Sequence, residues 1–228
     1  MQNVESWSFD EKVTKIFDEH VRQSIPSYEM LQDLICGIAQ FFIVENGVVI
    51  DVGCSTGETI KQLKEVTPKT FRVFGLDTSQ SMLEKAKEKL STTEDVYLFD
   101  EDISKVALPK ADVIISCLTN PFISVDERKK HMKRLVAKLK KGGALIVVEK
   151  TYAKHSMHQD IFTQLHHDFK EQQGFSTKEI RNKDKSLRGV FRVSQVEENK
   201  RFLERKGMLV EEFFRCLHFV GYVGIKQA

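Results

Sequence analysis

Residues 48–59 read VVIDVGCSTGET, an apolar run that leads into a glycine-rich turn. A short apolar run ends at Asp51 and is followed by a turn built on Gly53 and Gly57. An apolar run of this length, bounded by glycines, is typical of a buried strand that leads into a helix. In an open parallel sheet, ligands bind beyond the carboxyl ends of the strands. The turn after residue 52 is therefore the first place to look for a ligand.

Apolar strands and amphipathic helices alternate on both sides of this stretch. Residues 28–42 carry apolar side chains at helical spacing, which predicts an amphipathic helix before the first strand. Continuous apolar strands that alternate with helices predict a parallel sheet covered by helices on both faces. The predicted parallel strands are residues 48–53, 71–77, 96–102, 111–117 and 144–150, with a helix over 126–140 closed by Gly142 and Gly143.

The last third of the chain departs from this alternation. Two helices are predicted here, separated by a polar and charged segment, and two final strands form an antiparallel pair at the sheet edge. The predicted fold is therefore α/β and Rossmann-like, with a mostly parallel seven-stranded sheet, an antiparallel C-terminal hairpin and an N-terminal helical lid. One domain is expected over residues 1–228, with the lid over 1–45 and an inserted substrate-side helical segment over 157–206.

Composition narrows the class of protein. The 228 residues carry a net charge of +2, which gives no general attraction to nucleic acid or acidic membranes. The polar N-terminus does not resemble a signal peptide, and no apolar run approaches the roughly 18 residues of a membrane helix. The four cysteines are far apart and form no CxxC pair, which disfavours disulfides and zinc. We expect a cytoplasmic protein with no membrane partner and no metal.

Three ligands can be compared for the glycine turn. A phosphate-binding P-loop needs GxxxxGK[ST], but the corresponding position here is Glu58 and no Lys-Ser or Lys-Thr pair follows. The dinucleotide fingerprint needs GxGxxG, but Ser55 takes the place of its second glycine. The third pattern is an acid followed by two spaced glycines, Asp51, Gly53 and Gly57, and it suits the zwitterionic methionine end of S-adenosylmethionine. In that arrangement the acid faces the ammonium group and backbone N–H groups face the carboxylate.

The next two strand ends agree with this interpretation. Asp77 closes the second strand, where an acid can accept hydrogen bonds from both ribose hydroxyls. Asp102 and Ile103 follow the third strand, where the acid can meet the adenine amino group and the isoleucine can pack on the ring. One such acid alone is equally typical of a helix cap. Three acids at successive strand ends predict S-adenosylmethionine as the cofactor.

Several motifs outside the turn resemble the carboxy-S-adenosyl-L-methionine synthases, a family with the class I methyltransferase fold. Nearly the whole chain takes part in this resemblance. It implies an enzyme that converts S-adenosylmethionine and prephenate into a carboxylated cofactor for wobble-uridine modification of tRNA, and it implies a homodimer. The motifs are W-x-F-D-E-x-V at 7–13, R-x-S-x-P-x-Y at 22–28, KKGGALIVVEK at 140–150, HHDFK at 166–170 and G-F-S-x-x-E-I at 174–180.

The resemblance also implies site residues and two departures. The family usually has asparagine where this chain has Ser116, and it has a carboxylate-binding arginine where this chain has Asp184. An arginine holds a carboxylate with two charge-assisted bonds, whereas an aspartate repels it. Lys183, Lys185, or Arg181 after a local shift, could replace the arginine. The implied cofactor contacts are Tyr28, Gly53, Cys54, Ser55, Asp77, Thr78, Asp102, Ile103 and Ser116.

Methyl transfer from S-adenosylmethionine to a small molecule or a modified nucleoside is therefore the leading functional hypothesis. Candidate catalytic residues are Asp184, Tyr28 and His167, with Asp184 suited to orienting a cationic or amine substrate. Two enzymatic alternatives stay open: synthesis of the carboxylated cofactor, and remodelling of S-adenosylmethionine itself, such as intramolecular cyclisation. A non-catalytic binding module is the remaining alternative, and the intact cofactor residues count against it.

Three weaker signals favour structural interpretations. The segment Asn120, Pro121, Phe122 faintly resembles a motif of amine methyltransferases, but it lacks a proline and predicts a plain turn. The histidines at 155, 158, 166 and 167 are poorly spaced for a metal site. The basic run over residues 127–141 could bind phosphates of a nucleic acid, but a solvated helix face is favoured.

Overall fold

A computed structural model describes residues 11–227 of the chain. The predicted lid can therefore be followed only from residue 11, and most of the motif at 7–13 lies outside the described residues. One sheet forms the centre, in the order β3-β2-β1-β4-β5-β8-β7, with the two-residue β6 pairing beside β5. The strands are β1 (Gly47–Val52), β2 (Phe71–Asp77), β3 (Val96–Asp100), β4 (Ala111–Cys117), β5 (Leu139–Tyr152), β6 (Ser194–Gln195), β7 (Met208–Cys216) and β8 (Phe219–Lys226).

Eight α-helices and one 3₁₀ turn pack around this sheet in the described part of the chain. The turn spans Asn120–Phe122 and follows β4. None of these helices is long and apolar enough to cross a membrane. The helices are α1 (Glu11–Ser24), α2 (Tyr28–Phe42), α3 (Glu58–Val66), α4 (Gln80–Lys89), α5 (Val125–Lys138), α6 (Ser156–Gln172), α7 (Thr177–Ser186) and α8 (Val196–Glu204).

The predicted topology is confirmed. Strands β3, β2, β1, β4 and β5 pair in parallel, and β8 and β7 complete the edge as an antiparallel pair. Two boundaries differ from the prediction. Strand β3 ends at Asp100, so Asp102 lies in the following loop. Helix α5 ends at Lys138, and Gly142 and Gly143 lie within β5, because Leu139 is buried and already pairs with Ala111.

The core consists of two apolar layers, one on each face of the sheet. Every residue of β1 is buried, and its side chains alternate between the layers, with Val49 in one and Ile50 in the other. The layer with Val49 includes Leu31 of α2 and Leu63 of α3. The layer with Ile50 includes Leu135 of α5. Each fully buried leucine contributes about 2 kcal/mol to stability, so both faces hold the strand ends in place.

The strand order fixes where a ligand can bind. Chain connections from β1 run to β2 on one side, whereas β4 pairs with β1 on the other side. The connections therefore diverge between β1 and β4, and such a point leaves a crevice beyond the carboxyl ends of the strands. Helices α1 and α6 contact each other, as do α6 and α7, and these helices supply side chains to the cavity described next.

Candidate active site

A cavity of about 360 Å³ lies at the carboxyl ends of the parallel strands. Its wall includes the turn after β1, the end of β2 and the loops after β3 and β4. Helices α1, α6 and α7 contribute further sides, together with side chains from α2, α5 and β5. Of the predicted cofactor residues, nine line this cavity: Tyr28, Asp51, Gly53, Cys54, Ser55, Asp77, Thr78, Asp102 and Ile103.

The glycine turn has a shape that other residues could not adopt without strain. Gly53 has φ +74°, and a Cβ there would collide with the side chain of Thr119. Gly57 has φ +77° just before α3, and a Cβ there would lie 2.7 Å from Leu90 Cδ1. L-residues other than glycine rarely adopt such dihedrals. Gly57 does not line the cavity, so its part is to shape the turn.

The backbone amides of the turn are used inside the protein. Gly53 N and Cys54 N both donate to the carbonyl oxygen of Leu76, at 2.7 and 3.0 Å. Ser55 N donates to Asp77 Oδ2 at 2.8 Å. The expectation that these N–H groups face a ligand carboxylate is therefore wrong for these three residues. They instead tie the turn to the end of β2, which positions Asp77.

Asp51 is a buried carboxylate without a hydrogen-bond partner on one oxygen. Its side chain is at the cavity wall, and Oδ2 has no partner among the residues that the structure describes. Burial, helped by the nearby charge of Asp77, raises the pKa of Asp51 to about 7. A buried anion of this kind favours a cation close to it. The ammonium group of the methionine end of S-adenosylmethionine fits this requirement.

Asp77 is held rigidly at the end of β2. Its oxygens accept from Ser55 N at 2.8 Å and from Ser79 N at 2.9 Å. Burial raises the pKa of Asp77, and the backbone N–H donors only partly offset this effect. Each carboxylate oxygen can accept a second hydrogen bond. Asp77 therefore fits the two hydroxyls of a ribose, as the sequence predicts.

The loop after β3 forms another part of the wall. Asp102 accepts a hydrogen bond from Ser104 N at 2.7 Å, and Ile103 is buried beside it. Burial acts to raise the pKa of Asp102, but the Ser104 hydrogen bonds, together with electrostatic interactions with Arg134 and with His131 when that ring is protonated, outweigh it and leave the pKa lowered. An apolar side chain next to an acceptor is chemically suited to an adenine ring.

His131 is a cavity residue that the sequence analysis missed. It projects from α5, is 3% exposed, and lies near Asp102. Burial lowers its pKa to about 4, so the ring is neutral at pH 7. Neither ring nitrogen has a partner in the described part of the chain. Its only sequence signal was a histidine on the apolar side of a basic helix, next to Met132 and one turn before Leu135.

Ser116 does not line the cavity. Its side chain is fully buried inside β4, opposite Val147, and Oγ has no partner among the described residues. The wall after β4 is formed instead by Cys117, Leu118 and Thr119. Thr119 is fixed by its hydroxyl, which donates to the carbonyl oxygen of Val52 at 2.7 Å.

Helix α1 and the start of α2 cover the cavity and are anchored by a polar network. Asp18 accepts from Thr56 Oγ1 at 2.5 Å and from Lys89 Nζ at 2.7 Å. Lys89 also contacts Glu58 Oε2 at 2.5 Å. Tyr28 lies on the wall beside this network, and burial raises the pKa of its hydroxyl well above the usual value.

The other end of the cavity carries positive charge. Lys150 comes from β5, Lys170 from α6 and Lys183 from α7, and all three line the cavity. His166 also lines it and donates to the carbonyl oxygen of Ser24 at 2.8 Å. Burial, then Lys150 and Lys170, lower the pKa of His166 to about 3, so this ring is neutral.

Asp184 and His167 contact each other outside the cavity wall. Asp184 Oδ2 lies 3.0 Å from His167 Nε2, and both side chains are about one-third exposed. Neither residue lines the cavity, and neither do Arg181 and Lys185, which are exposed on α7. Lys183 is the one replacement cation named above that lines the cavity.

The weaker sequence signals have structural roles here. Asn120 begins a 3₁₀ turn and donates to Glu149 Oε1 at 2.5 Å, while Phe122 lines the cavity. Among residues 11–227, the structure shows no group of three or more metal-binding side chains.

Comparisons with known proteins agree with this geometry. A family model described as a methyltransferase domain matches residues 49–143. The carboxy-S-adenosyl-L-methionine synthase of Staphylococcus epidermidis is 32% identical over 222 residues, which cover 96% of this chain and 97% of that protein.

Two solved structures share the fold. An O-methyltransferase family protein from Burkholderia thailandensis has a TM-score of 0.68 at 15% identity, over 96% of this chain and 61% of that longer chain. The magnesium protoporphyrin IX methyltransferase of Synechocystis, solved with bound SAH, has a TM-score of 0.64 at 12% identity, over 90% of this chain and 86% of that one.

The fold is therefore that of the class I methyltransferases, and the chain is an enzyme that depends on S-adenosylmethionine. The relative from Staphylococcus epidermidis spans this chain from end to end, and its identity is high enough to establish kinship. This chain is a member of the carboxy-S-adenosyl-L-methionine synthase family.

Proposed function

We propose that this enzyme transfers the methyl group of S-adenosylmethionine to a small-molecule acceptor that enters the lysine-lined end of the cavity. One observation carries this choice within the family. No arginine of residues 11–227 lines the cavity, and Asp184, at the place of the family's arginine, contacts His167 instead. The bidentate grip on a carboxylated cofactor is therefore missing.

The chain's own residues explain how S-adenosylmethionine would be held. Asp51 faces the ammonium group, Asp77 accepts from the ribose hydroxyls, and Asp102 with Ile103 contacts the adenine. When bound, S-adenosylmethionine supplies a methyl group activated by the sulfonium. The protein's part is alignment of the acceptor and exclusion of water. The aromatic side chains of Phe17 and Tyr28 from the lid, and of Phe122 after β4, line the cavity and would help to exclude water from it.

A second candidate is synthesis of the carboxylated cofactor from S-adenosylmethionine and prephenate. Two observations favour it: the name of the relative from Staphylococcus epidermidis, and the three cavity lysines, which could together replace one arginine. A lysine does not reproduce the planar fork of arginine, however. Intramolecular cyclisation of S-adenosylmethionine has no residue here that favours it.

Isotopic labelling tests the first proposal against the second. The enzyme is incubated with S-adenosylmethionine carrying a deuterated methyl group, together with the small-molecule fraction of a cell extract. We expect S-adenosylhomocysteine and one acceptor that gains the labelled methyl group. A parallel incubation with prephenate is expected to give no carboxylated cofactor. A carboxylated product that keeps the labelled carbon with two of its three deuterium atoms would favour the second candidate instead.

The same proposal includes a cytoplasmic homodimer and the division into a lid over residues 1–45 and an inserted segment over 157–206. An apolar stripe on α6 supports the dimer, because Met157, Ile161 and Leu165 are 70%, 48% and 47% exposed at helical spacing. Sedimentation of the purified protein tests the homodimer, and a monomer at all concentrations would contradict it.

Nucleic acid is not favoured as a partner, since Lys129 and Lys130 of α5 pair with Glu198 and Glu127.

A further inference from the structure

Three lysines from three different elements converge on one end of the cavity. Lys150 lies near the end of β5, Lys170 near the end of α6, and Lys183 on α7. All three line the same cavity as the cofactor residues. They are far apart in sequence and are brought together only by the packing of α6 and α7 over the sheet. Their convergence places three ammonium groups around one space.

Two of these lysines, Lys150 and Lys170, carry charges that no acid pairs with in the part of the chain that the structure describes. Within residues 11–227, neither Lys150 nor Lys170 forms an ion pair or a side-chain hydrogen bond, and the ammonium of Lys150 lies 5.7 Å from the ring centre of Phe219. Lys170 is only 7% exposed. Burial, and after it the charge of Lys170, lower the pKa of Lys150 to about 8 and that of Lys183 to about 7. The lysines therefore repel one another across the cavity.

Asp184 supports the charges of Lys150 and Lys170 but does not line the cavity. Asp184 acts to raise the pKa of Lys150 and of Lys170, against the larger effect of burial. Its carboxylate contacts His167 and does not line the cavity. His166 adds no further positive charge on this side, because its lowered pKa of about 3 keeps the ring neutral. A buried cluster of cations facing a cavity is stabilised most by an anion bound within it.

We propose that Lys150, Lys170 and Lys183 form an anion subsite, which holds a carboxylate or phosphate group of the second substrate. The inference rests on the proposed function, since it names the chemical class of the acceptor for the same cavity. Lysine is a point charge with rotatable donors, so it suits either anion. The subsite differs from the place of Asp184, because that residue lies outside the cavity wall.

Calorimetry on the full-length protein tests the subsite. The protein is first saturated with S-adenosylhomocysteine and is then titrated with sodium malonate or, separately, with inorganic phosphate. We expect at least one of these anions to bind. Lys150→Met and Lys170→Met, which keep most of the apolar stem, should weaken that binding about tenfold or more. Both variants should bind S-adenosylhomocysteine as the wild type does.

Lys185→Met is the matched control, because Lys185 lies on α7 next to the cluster, is exposed and does not line the cavity. If one cavity variant does not fold, the other and Lys183→Met supply the same test. Binding of malonate indicates a carboxylate acceptor, binding of phosphate alone a phosphate acceptor, and both support the subsite. Anion binding that is absent, or equal in Lys185→Met and the cavity variants, would overturn it. Failure of the wild type to bind S-adenosylhomocysteine would instead contradict the proposed function.

Discussion

Asp184 Oδ2 lies 3.0 Å from Nε2 of His167, so α7 is joined to α6 at the point where the family resemblance places a carboxylate-binding arginine. Asp184 does not line the cavity, so it does not repel a ligand there. Its negative charge instead acts to raise the pKa of Lys150 and Lys170, which do line the cavity. The cavity keeps a positive end although the arginine is absent. The change from arginine to aspartate therefore removes a bidentate contact with a carboxylate, but it leaves this end of the cavity positively charged.

Asp184→Asn tests this indirect role. Removing the negative charge should lower the pKa of Lys150 and Lys170, because Asp184 raises both in the wild type. Since Asp184 is partly exposed, solvent screens the effect, and we expect malonate affinity to fall by about two- to fivefold. Affinity for S-adenosylhomocysteine should not change. Calorimetry of both ligands checks the prediction, and stronger malonate binding by the variant would show that Asp184 faces the anion.

Asp77→Ala should remove most of the affinity for S-adenosylmethionine. The variant loses the acceptor for two ribose hydroxyls and also frees Ser55 N and Ser79 N, so we expect a loss of about a hundredfold. Asp100→Ala is the matched control, because Asp100 is the register partner of Asp77 in β3 but is exposed and does not line the cavity. Titration calorimetry measures both variants. Equal binding by Asp77→Ala and the wild type would refute the ribose assignment.

Lys89→Met should loosen the lid. Lys89 separates the carboxylates of Asp18 and Glu58, at 2.7 and 2.5 Å, and its loss leaves these two acids close together. We expect the free energy of unfolding to fall by about 2 kcal/mol, with faster amide hydrogen exchange along α1. Lys87→Met, an exposed position on the same helix, serves as the control. Unchanged exchange in α1 would show that this network does not hold the lid.

His131→Leu should stabilise the protein. The imidazole is buried with both nitrogens lacking partners in the described chain, and an unsatisfied buried polar group costs about 1–3 kcal/mol. Thermal or denaturant unfolding measures the change. If the free energy of unfolding falls instead, the ring has a partner that the structure does not show.

His131→Leu should also change how the stability of the protein depends on pH. Burial holds the pKa of His131 at about 4 in the folded state, below its ordinary value of 6.5. Between these values the unfolded chain binds the proton and the folded chain does not, so stability falls as the pH is lowered from 6.5 toward 4. Asp51 acts in the opposite direction, since its pKa is raised to about 7. The difference between wild type and His131→Leu isolates the histidine, and it should grow as the pH falls through this window.

The sequence predicts the sheet, and it predicts which strand ends meet at the cavity, for a physical reason. Strand ends such as Asp51 and Asp77 can be located from apolar runs, and parallel strands bring their ends to one edge. Only the family resemblance assigns Ser116 to the cofactor site, and the structure buries this residue inside β4. Cys117, the next residue of β4, lines the cavity, so one position along the strand decides whether a residue reaches it.

The acceptor end could not be predicted in the same way. Lys150, Lys170 and Lys183 lie in three elements, and no periodicity shows that these elements meet. His131 was hidden for a related reason, because a histidine within a basic run looks solvated until the packing of α5 buries it. Long-range packing sets both features, and short-range sequence patterns do not encode it directly.

The most direct measurement is the mass of the small molecule that the protein retains after incubation with S-adenosylmethionine and prephenate. The protein is separated from free ligand, denatured, and the released molecule is weighed, with a parallel sample that lacks prephenate. Methyl transfer by this enzyme predicts S-adenosylmethionine or S-adenosylhomocysteine in both samples. A species heavier by one carboxyl group, present only with prephenate, would contradict it and would show that the cavity lysines replace the arginine.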